Sequence, residues 1–234
     1  MVDTNWKIAP NRHARHPFDI AHGTDTAGYI APGSLQTGQI HDATNNGYSA
    51  VAPSVFQQAC RRWRESLPVE SSGMSNYTFV DVGCGKGRAL LLASELGFRR
   101  VLGVELHADL ARVAEHNVKR WNGLARTRSS IRVLRQDAME MDWPRPPLLI
   151  FLNNPFACEL VAQLAEMLTG IAQRGPRMID VMYVNPGCAG ELTRHDGFKI
   201  VWDEQIDMDK ADQNADPYGA TADRVALFRL VAHA

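Results

Sequence analysis

The stretch Phe79-Val80-Asp81-Val82-Gly83-Cys84-Gly85-Lys86-Gly87 constrains the fold of this chain more than any other. A short apolar run ends in an acid, and three glycines follow at every second position. Arg88 to Leu96 then reads as a helix that stops at Gly97. Strand, glycine turn and helix, in that order, suit a nucleotide-type ligand. Missing side chains let the backbone come close to the ligand, and the helix N-terminus offers free N–H donors. A plain tight βα turn uses the same pattern, so the glycines alone leave both readings open.

The next apolar run supplies a second acid. Arg100-Val101-Leu102-Gly103-Val104-Glu105 ends 18 residues after Gly87. There an α/β nucleotide site places the carboxylate that accepts hydrogen bonds from a ribose. The glycine order is G-x-G-x-G, not the G-x-G-x-x-G of dinucleotide folds, and Asp81 precedes it. Asp-Val-Gly-Cys-Gly-Lys-Gly followed by Val-Glu-Leu resembles motifs I and II of the class I S-adenosylmethionine-dependent methyltransferases. The resemblance implies S-adenosyl-L-methionine as cofactor. Asp81, Val82, Gly83, Cys84, Gly85 and Gly87 would receive its methionyl end, and Glu105 its ribose hydroxyls. Leu106 or His107 would cover the adenine face, and Asp137 with Ala138, at the end of a third apolar run, would hold the adenine amino group.

Composition sets the outer bounds. With 234 residues the chain can form one large domain, or one domain with an extension. A formal net charge of −1 gives no global electrostatic reason to expect a nucleic-acid or membrane partner. Cys60, Cys84, Cys158 and Cys188 lie far apart with no C-x-x-C pair, so neither a zinc site nor a disulfide framework is expected. Scattered thiols fit a reducing compartment, and a soluble cytoplasmic protein is the default. His13, His16 and His22 are not fixed on one face, and no metal site is expected.

Along the chain, residues 1–52 read as a turn-rich extension, either a surface segment or a cap over the ligand site. Residues 53–234 read as the methyltransferase-like domain. Pro53 opens an amphipathic helix that carries Val55, Phe56, Ala59, Cys60 and Trp63 on one side. Strands alternate with helices from Phe79 to Val184. Two last strands follow, 198–202 and 224–231, with no helical pattern between them, so they should pair antiparallel. The expected fold is α/β: a doubly wound, mostly parallel seven-strand sheet with a C-terminal antiparallel hairpin.

The fourth strand empties into Asn153-Asn154-Pro155-Phe156. Amide and carbonyl oxygens there can orient an amine and accept its hydrogens, with Phe156 as an aromatic wall, so Asn153, Asn154 and Phe156 are the candidate acceptor-orienting residues. Asn153 also borders the cofactor. The tetrad is similar to the Asp/Asn/Ser-Pro-Pro-Tyr/Phe of amino-group methyltransferases, with Asn154 in place of the first proline. Phe151-Leu152-Asn153-Asn154 is also similar to the Val-Asn-Asn-Phe of the non-SET histone-lysine methyltransferases. Their tyrosine followed by a small hydroxyl residue, which contacts the cofactor, resembles Tyr48 and Ser54. The whole chain looks most like bacterial methyltransferases of this broad group.

The resemblance implies methyl transfer to a nitrogen, on a protein lysine or a small amine. Seven acids between Asp203 and Asp223, against one Lys210, either keep a surface soluble or attract a cationic substrate. A nicotinamide-dependent oxidoreductase and a cofactor-binding partner module without turnover are the alternatives.

Overall fold

The computed structural model describes residues 16–38, 44–68, 73–173, 178–195 and 197–230. The chain opens with a short helix, α1 (Pro17–His22), and a two-residue strand, β1 (Tyr29–Ile30), which pairs antiparallel with β2 (Tyr48–Ser49). Then come α2 (Pro53–Glu65), β3 (Thr78–Val82), α3 (Arg88–Ser94), β4 (Arg100–Glu105), α4 (Ala108–Asn122), β5 (Ile131–Arg135) and β6 (Leu148–Asn153). The chain continues with α5 (Cys158–Ala172), β7 (Ile179–Val184), α6 (Ala189–Thr193), β8 (Phe198–Asp207), α7 (Lys210–Ala215) and β9 (Ala222–Leu230).

Seven strands form one sheet in the order β5-β4-β3-β6-β7-β9-β8. The five from β3 to β7 run parallel, while β9 pairs antiparallel with both β7 and β8. The central strands β3, β6 and β7 are largely apolar because both faces are covered. Alternate side chains sort to the two layers. Phe79, Val101, Leu149 and Phe151 meet α2 and α3, whereas Val80, Leu102, Leu148 and Ile150 meet α5. Strand order reverses between β3 and β6, so the crevice at their carboxyl ends is where such a sheet takes a ligand.

Three expectations need correction. The stretch between β8 and β9 is not free of helix: Asp209 caps α7, its side chain accepting from the Asp212 N–H, an N-cap that short-range hydropathy does not reveal. β8 runs on to Asp207, so several acids of the supposed loop are strand residues. The third concerns the cysteines. Cys158 and Cys188 form a disulfide across 30 residues of sequence, while Cys60 and Cys84 are free and buried. β6 and β7 are parallel neighbours, so the segments that follow their tips meet in space. The reducing-compartment reading rested on four separate thiols and loses that premise. Among the described residues, no helix is long and apolar enough to cross a membrane.

Of the N-terminal segment, His13 lies outside the described residues. The part from residue 16 onward is tied down by one carboxylate. Asp19 accepts hydrogen bonds from the Thr24 hydroxyl (2.6 Å), the Thr26 N–H (2.9 Å) and hydroxyl (2.7 Å), and the Ala27 N–H (2.7 Å). Arg88, at the start of α3, sits 3.5 Å from the same carboxylate, and both side chains are buried. Burial works to raise the Asp19 pKa, but Arg88 and the threonine hydrogen bonds outweigh it and hold the group below its ordinary value.

Candidate active site

The tips of β3, β4, β5 and β6 ring one cleft. Asp81, Gly83, Cys84, Gly85, Glu105, Leu106, His107, Asp137, Ala138, Asn153, Pro155 and Phe156 all line it. The glycines have positive φ, +72° at Gly83 and +54° at Gly85, which side-chain-bearing residues adopt at a cost. They are also crowded. A Cβ on Gly83 would sit 2.8 Å from Pro155 Cβ, and one on Gly85 would sit 2.2 Å from the Tyr48 ring. Glycine is needed here both for the turn and for the close approach of the chain from β2 and the β6 tip.

Two buried acids dominate the electrostatics. Glu105 accepts from the Gly85 N–H (2.7 Å) and the His107 N–H (2.8 Å), which stitches the glycine loop to the β4 tip. Burial still pushes its carboxyl above the ordinary range. Asp81 is only 3% exposed, and no hydrogen bond reaches its carboxylate from the described residues. Burial, and then the neighbouring Glu105, drive it well above the usual carboxylate range. The motif's own cations are engaged elsewhere. Lys86 donates to Asp25 and to the Ala27 carbonyl, each at 2.9 Å, and Arg88 donates to the Thr26 hydroxyl at 2.7 Å. The cleft therefore holds two buried acids, while Arg88, which also borders it, is turned to Thr26 and Asp19, and this suits a ligand that brings positive charge and hydroxyl donors.

Residues 80–146 match the family model described as a methyltransferase domain, and that stretch carries the glycine loop, the β4 acid and Asp137. The chain carries a class I S-adenosylmethionine-dependent methyltransferase domain. This assignment leaves no place for the nicotinamide alternative. The chain is 27% identical, over 118 residues, to a histone-lysine N-methyltransferase, H3 lysine-79 specific, of Dictyostelium discoideum. That match spans 46% of this chain and 6% of the longer protein. In fold the domain is similar to magnesium protoporphyrin IX methyltransferase from Synechocystis PCC 6803 with bound SAM. There identity is 14%, 75% of this chain and 79% of that one are covered, and the TM-score is 0.51. It is likewise similar to TrmN from Thermus thermophilus, with 20% identity, 77% and 49% coverage and a TM-score of 0.51. The [4+2]-cyclase SpnF has a comparable likeness, with 13% identity, 77% and 81% coverage and a TM-score of 0.51. These likenesses establish the fold and not the acceptor. The residues present fit the cofactor: the buried, uncompensated Asp81 and Glu105 and the side-chain-free loop offer what a sulfonium nucleoside with a ribose requires.

Four expected site residues of the methyltransferase domain lie off the cleft. Ser54 does not line it. Pro53 starts α2, and both the N–H and the hydroxyl of Ser54 donate to Asp212, at 2.7 and 2.5 Å. Val82 is fully buried in the sheet core beneath the loop. Gly87 is the left-handed N-cap of α3 and faces Ala114 of α4. Asn154 turns at φ +47°, and its side chain accepts from the Tyr183 hydroxyl at 3.1 Å. Tyr48 does line the cleft, but its hydroxyl points away and donates to the Thr26 carbonyl at 2.6 Å. Only its ring faces Gly85.

Sequence reading missed Asn46. Its side-chain amide donates to the carbonyls of Asn154 (2.9 Å) and Phe156 (3.1 Å), and so shapes the β6 tip from a segment with no apolar period. Leu35 and Leu110, which pack with Tyr48 on the cleft's outer side, were also missed.

Proposed function

We propose that the domain transfers a methyl group from S-adenosylmethionine to a nitrogen nucleophile, on a protein lysine or a small amine. When bound, the cofactor supplies a methyl group already activated by its sulfonium. The chain's task is then to bind and align. The backbone around Gly83 and Gly85 would hold the methionyl end, with Asp81 ordering its ammonium group. Glu105 would accept the ribose hydroxyls, and Asp137 with Ala138 would edge the adenine. Alignment of a nucleophile at near-contact distance is worth roughly 7–11 kcal/mol of barrier, which is most of what a transfer of this kind asks of a protein.

The observation that carries the nitrogen reading is the β6 tip. Asn153 donates from its amide nitrogen to the Ser49 carbonyl at 2.8 Å, which fixes the side chain with its amide oxygen still able to accept a hydrogen. Neutral acceptors of this kind orient an amine without holding it protonated. Among the similar proteins, the histone-lysine N-methyltransferase of Dictyostelium discoideum modifies a lysine, which agrees with this reading. Residues 1–52 are proposed as the extension that caps the active site, and residues 53–234 as the methyltransferase domain. The test is incubation of the full chain with methyl-labelled cofactor and cell extract, followed by hydrolysis and separation of methylated amino acids and amines. Label in methyl-lysine or a methylamine supports the reading, and label confined to oxygen or carbon overturns it.

A further inference from the structure

A second cavity, of about 560 Å³, lies behind the cofactor cleft. Asn153 and the β2 segment around Ser49 line both spaces, so the two adjoin at the hydrogen bond between them. The residues just after β6 divide between the two spaces. Pro155 and Phe156 face the cofactor side, whereas Asn154 lines the second cavity.

The lining of this cavity is chemically one-sided. Tyr29 of β1 and Tyr218, which follows α7, stand edge to face with ring centroids 5.5 Å apart, and both are exposed. Asp216 and Asp223 line the cavity as well. Asp223 accepts from Asn185 at 2.8 Å, and Asp216 accepts from the Tyr218 and Ala220 N–H groups. Among the described residues neither acid has a cationic partner. The other charged groups that reach the cavity are already matched: Asp212 with His16 at 3.1 Å, and Arg88 with Asp19. The space thus combines two π-faces, two uncompensated carboxylates and, at its inner end, the neutral amides of Asn153, Asn154 and Asn185. A carboxylic or phosphate ligand would be repelled there, and a neutral one would leave the carboxylates desolvated without return.

We propose that this cavity is the methyl-acceptor site and that it takes a primary alkylammonium. Tyr29 and Tyr218 would flank the alkyl chain, Asp216 and Asp223 would draw in the charge, and the nitrogen would reach Asn153, where the cavity adjoins the cofactor cleft. The inference rests on the nitrogen reading above and adds the place and the selecting residues. In the transfer, the ammonium first gives one proton to Asp223. The nitrogen lone pair then forms the new N–C bond as the C–S bond breaks, with its electron pair left on sulfur. Asp223 passes the proton to solvent, and the product departs as a methylated ammonium.

The test uses the full chain and two probes of equal length, n-butylamine and n-butanol, with binding read by calorimetry in the absence of cofactor. The amine should bind at least about tenfold more tightly than the alcohol. Asp223→Asn should weaken the amine by roughly tenfold. Tyr218→Ala should weaken it about threefold to fivefold, and both variants should keep wild-type S-adenosylmethionine affinity. Tyr218 is 65% exposed, so its truncation removes no core and the result does not hinge on folding. Equal binding of amine and alcohol, or unchanged amine binding in both variants, overturns the proposal. Displacement of n-butylamine by a peptide that has a free lysine side chain and an acetylated N-terminus puts the amine on a polypeptide, and displacement by free diamines alone puts it on a small molecule. Either result supports the site. If both variants still methylate amines at the wild-type rate, this cavity falls while the nitrogen reading stands. If the wild type labels only oxygen or carbon, both fall together.

Discussion

The side-chain amide of Asn153 donates to the backbone carbonyl of Ser49 at 2.8 Å, joining the tip of the fourth parallel strand to the N-terminal segment. The bond couples two elements 104 positions apart and fixes Asn153 where the cofactor cleft and the second cavity adjoin. Asn153→Ala should reduce turnover by about tenfold or more while changing cofactor affinity little, because it removes an aligning group and not a binding one. Parallel measurement of kcat and of cofactor Kd checks this. A fall in affinity as large as the fall in kcat would count against an aligning role.

Gly85 and Tyr48 form the tightest approach in the site. A Cβ at Gly85 would lie 2.2 Å from the Tyr48 ring, and the residue's φ of +54° is itself strained for any side chain. Gly85→Ala should therefore destabilise the protein by roughly 1–3 kcal/mol and abolish measurable cofactor binding. Adding Tyr48→Ala should recover the clash but not the backbone strain, so the two substitutions should be non-additive in thermal melts. Strict additivity would mean that the ring does not pack on the loop.

Asp81 and Glu105 make opposite demands on stability and on function. Both have folded pKa values raised by burial, with the Glu105 charge adding to the effect at Asp81. The sign follows from linkage: a carboxyl whose pKa is raised on folding opposes folding once it ionises. The apoprotein should lose stability as pH rises from about 4, the ordinary carboxylate pKa, through the raised folded values. A cationic ligand relieves this, so cofactor affinity should increase over the same interval. Asp81→Asn should raise the melting temperature of the apoprotein at neutral pH and not at acid pH, while abolishing cofactor binding. Melts across pH with and without S-adenosylmethionine read both effects. An apoprotein whose stability rises over that interval would contradict the assignment.

The centre of the sheet was legible because β3, β4 and β6 are largely apolar runs with a polar residue at or next to the tip: Asp81, Glu105 and Asn153. The N-terminal cap was not. Asp19 organises it through hydrogen bonds to residues five to eight positions on, which leave no periodic trace. The structure places the Tyr48 ring in the cleft and Ser54 outside it, because the carboxylate that captures Ser54 comes from α7, 158 positions away. The second cavity was legible only as an excess of acids after β8. Its walls come from β1, the β2 segment, the tips of β6 and β7, and the stretch from α7 into β9, and no local pattern links them.

The disulfide between Cys158 and Cys188 closes a 30-residue loop from the start of α5, just past Phe156, to the segment just past Asn185. Both neighbouring turns use an asparagine with positive φ followed by a proline, Asn154 at +47° and Asn185 at +50°. Tyr183 donates to Asn154 across them. The cross-link therefore holds together the two turns that close the inner end of the second cavity. Loop-closure entropy for this span puts its stabilisation at about 3–4 kcal/mol at most. Cys158→Ser with Cys188→Ser should lower the melting temperature and raise the acceptor KM while leaving cofactor Kd unchanged, because the cofactor-side contacts at Gly85 and Glu105 lie on other strands. Reductant should bring the wild type down to the same melting temperature and leave the double variant unaffected. Thiol titration of the denatured, unreduced protein should find Cys60 and Cys84 alone, since the other two are bonded to each other. Four titrating thiols would remove the cross-link and with it the expected change in KM.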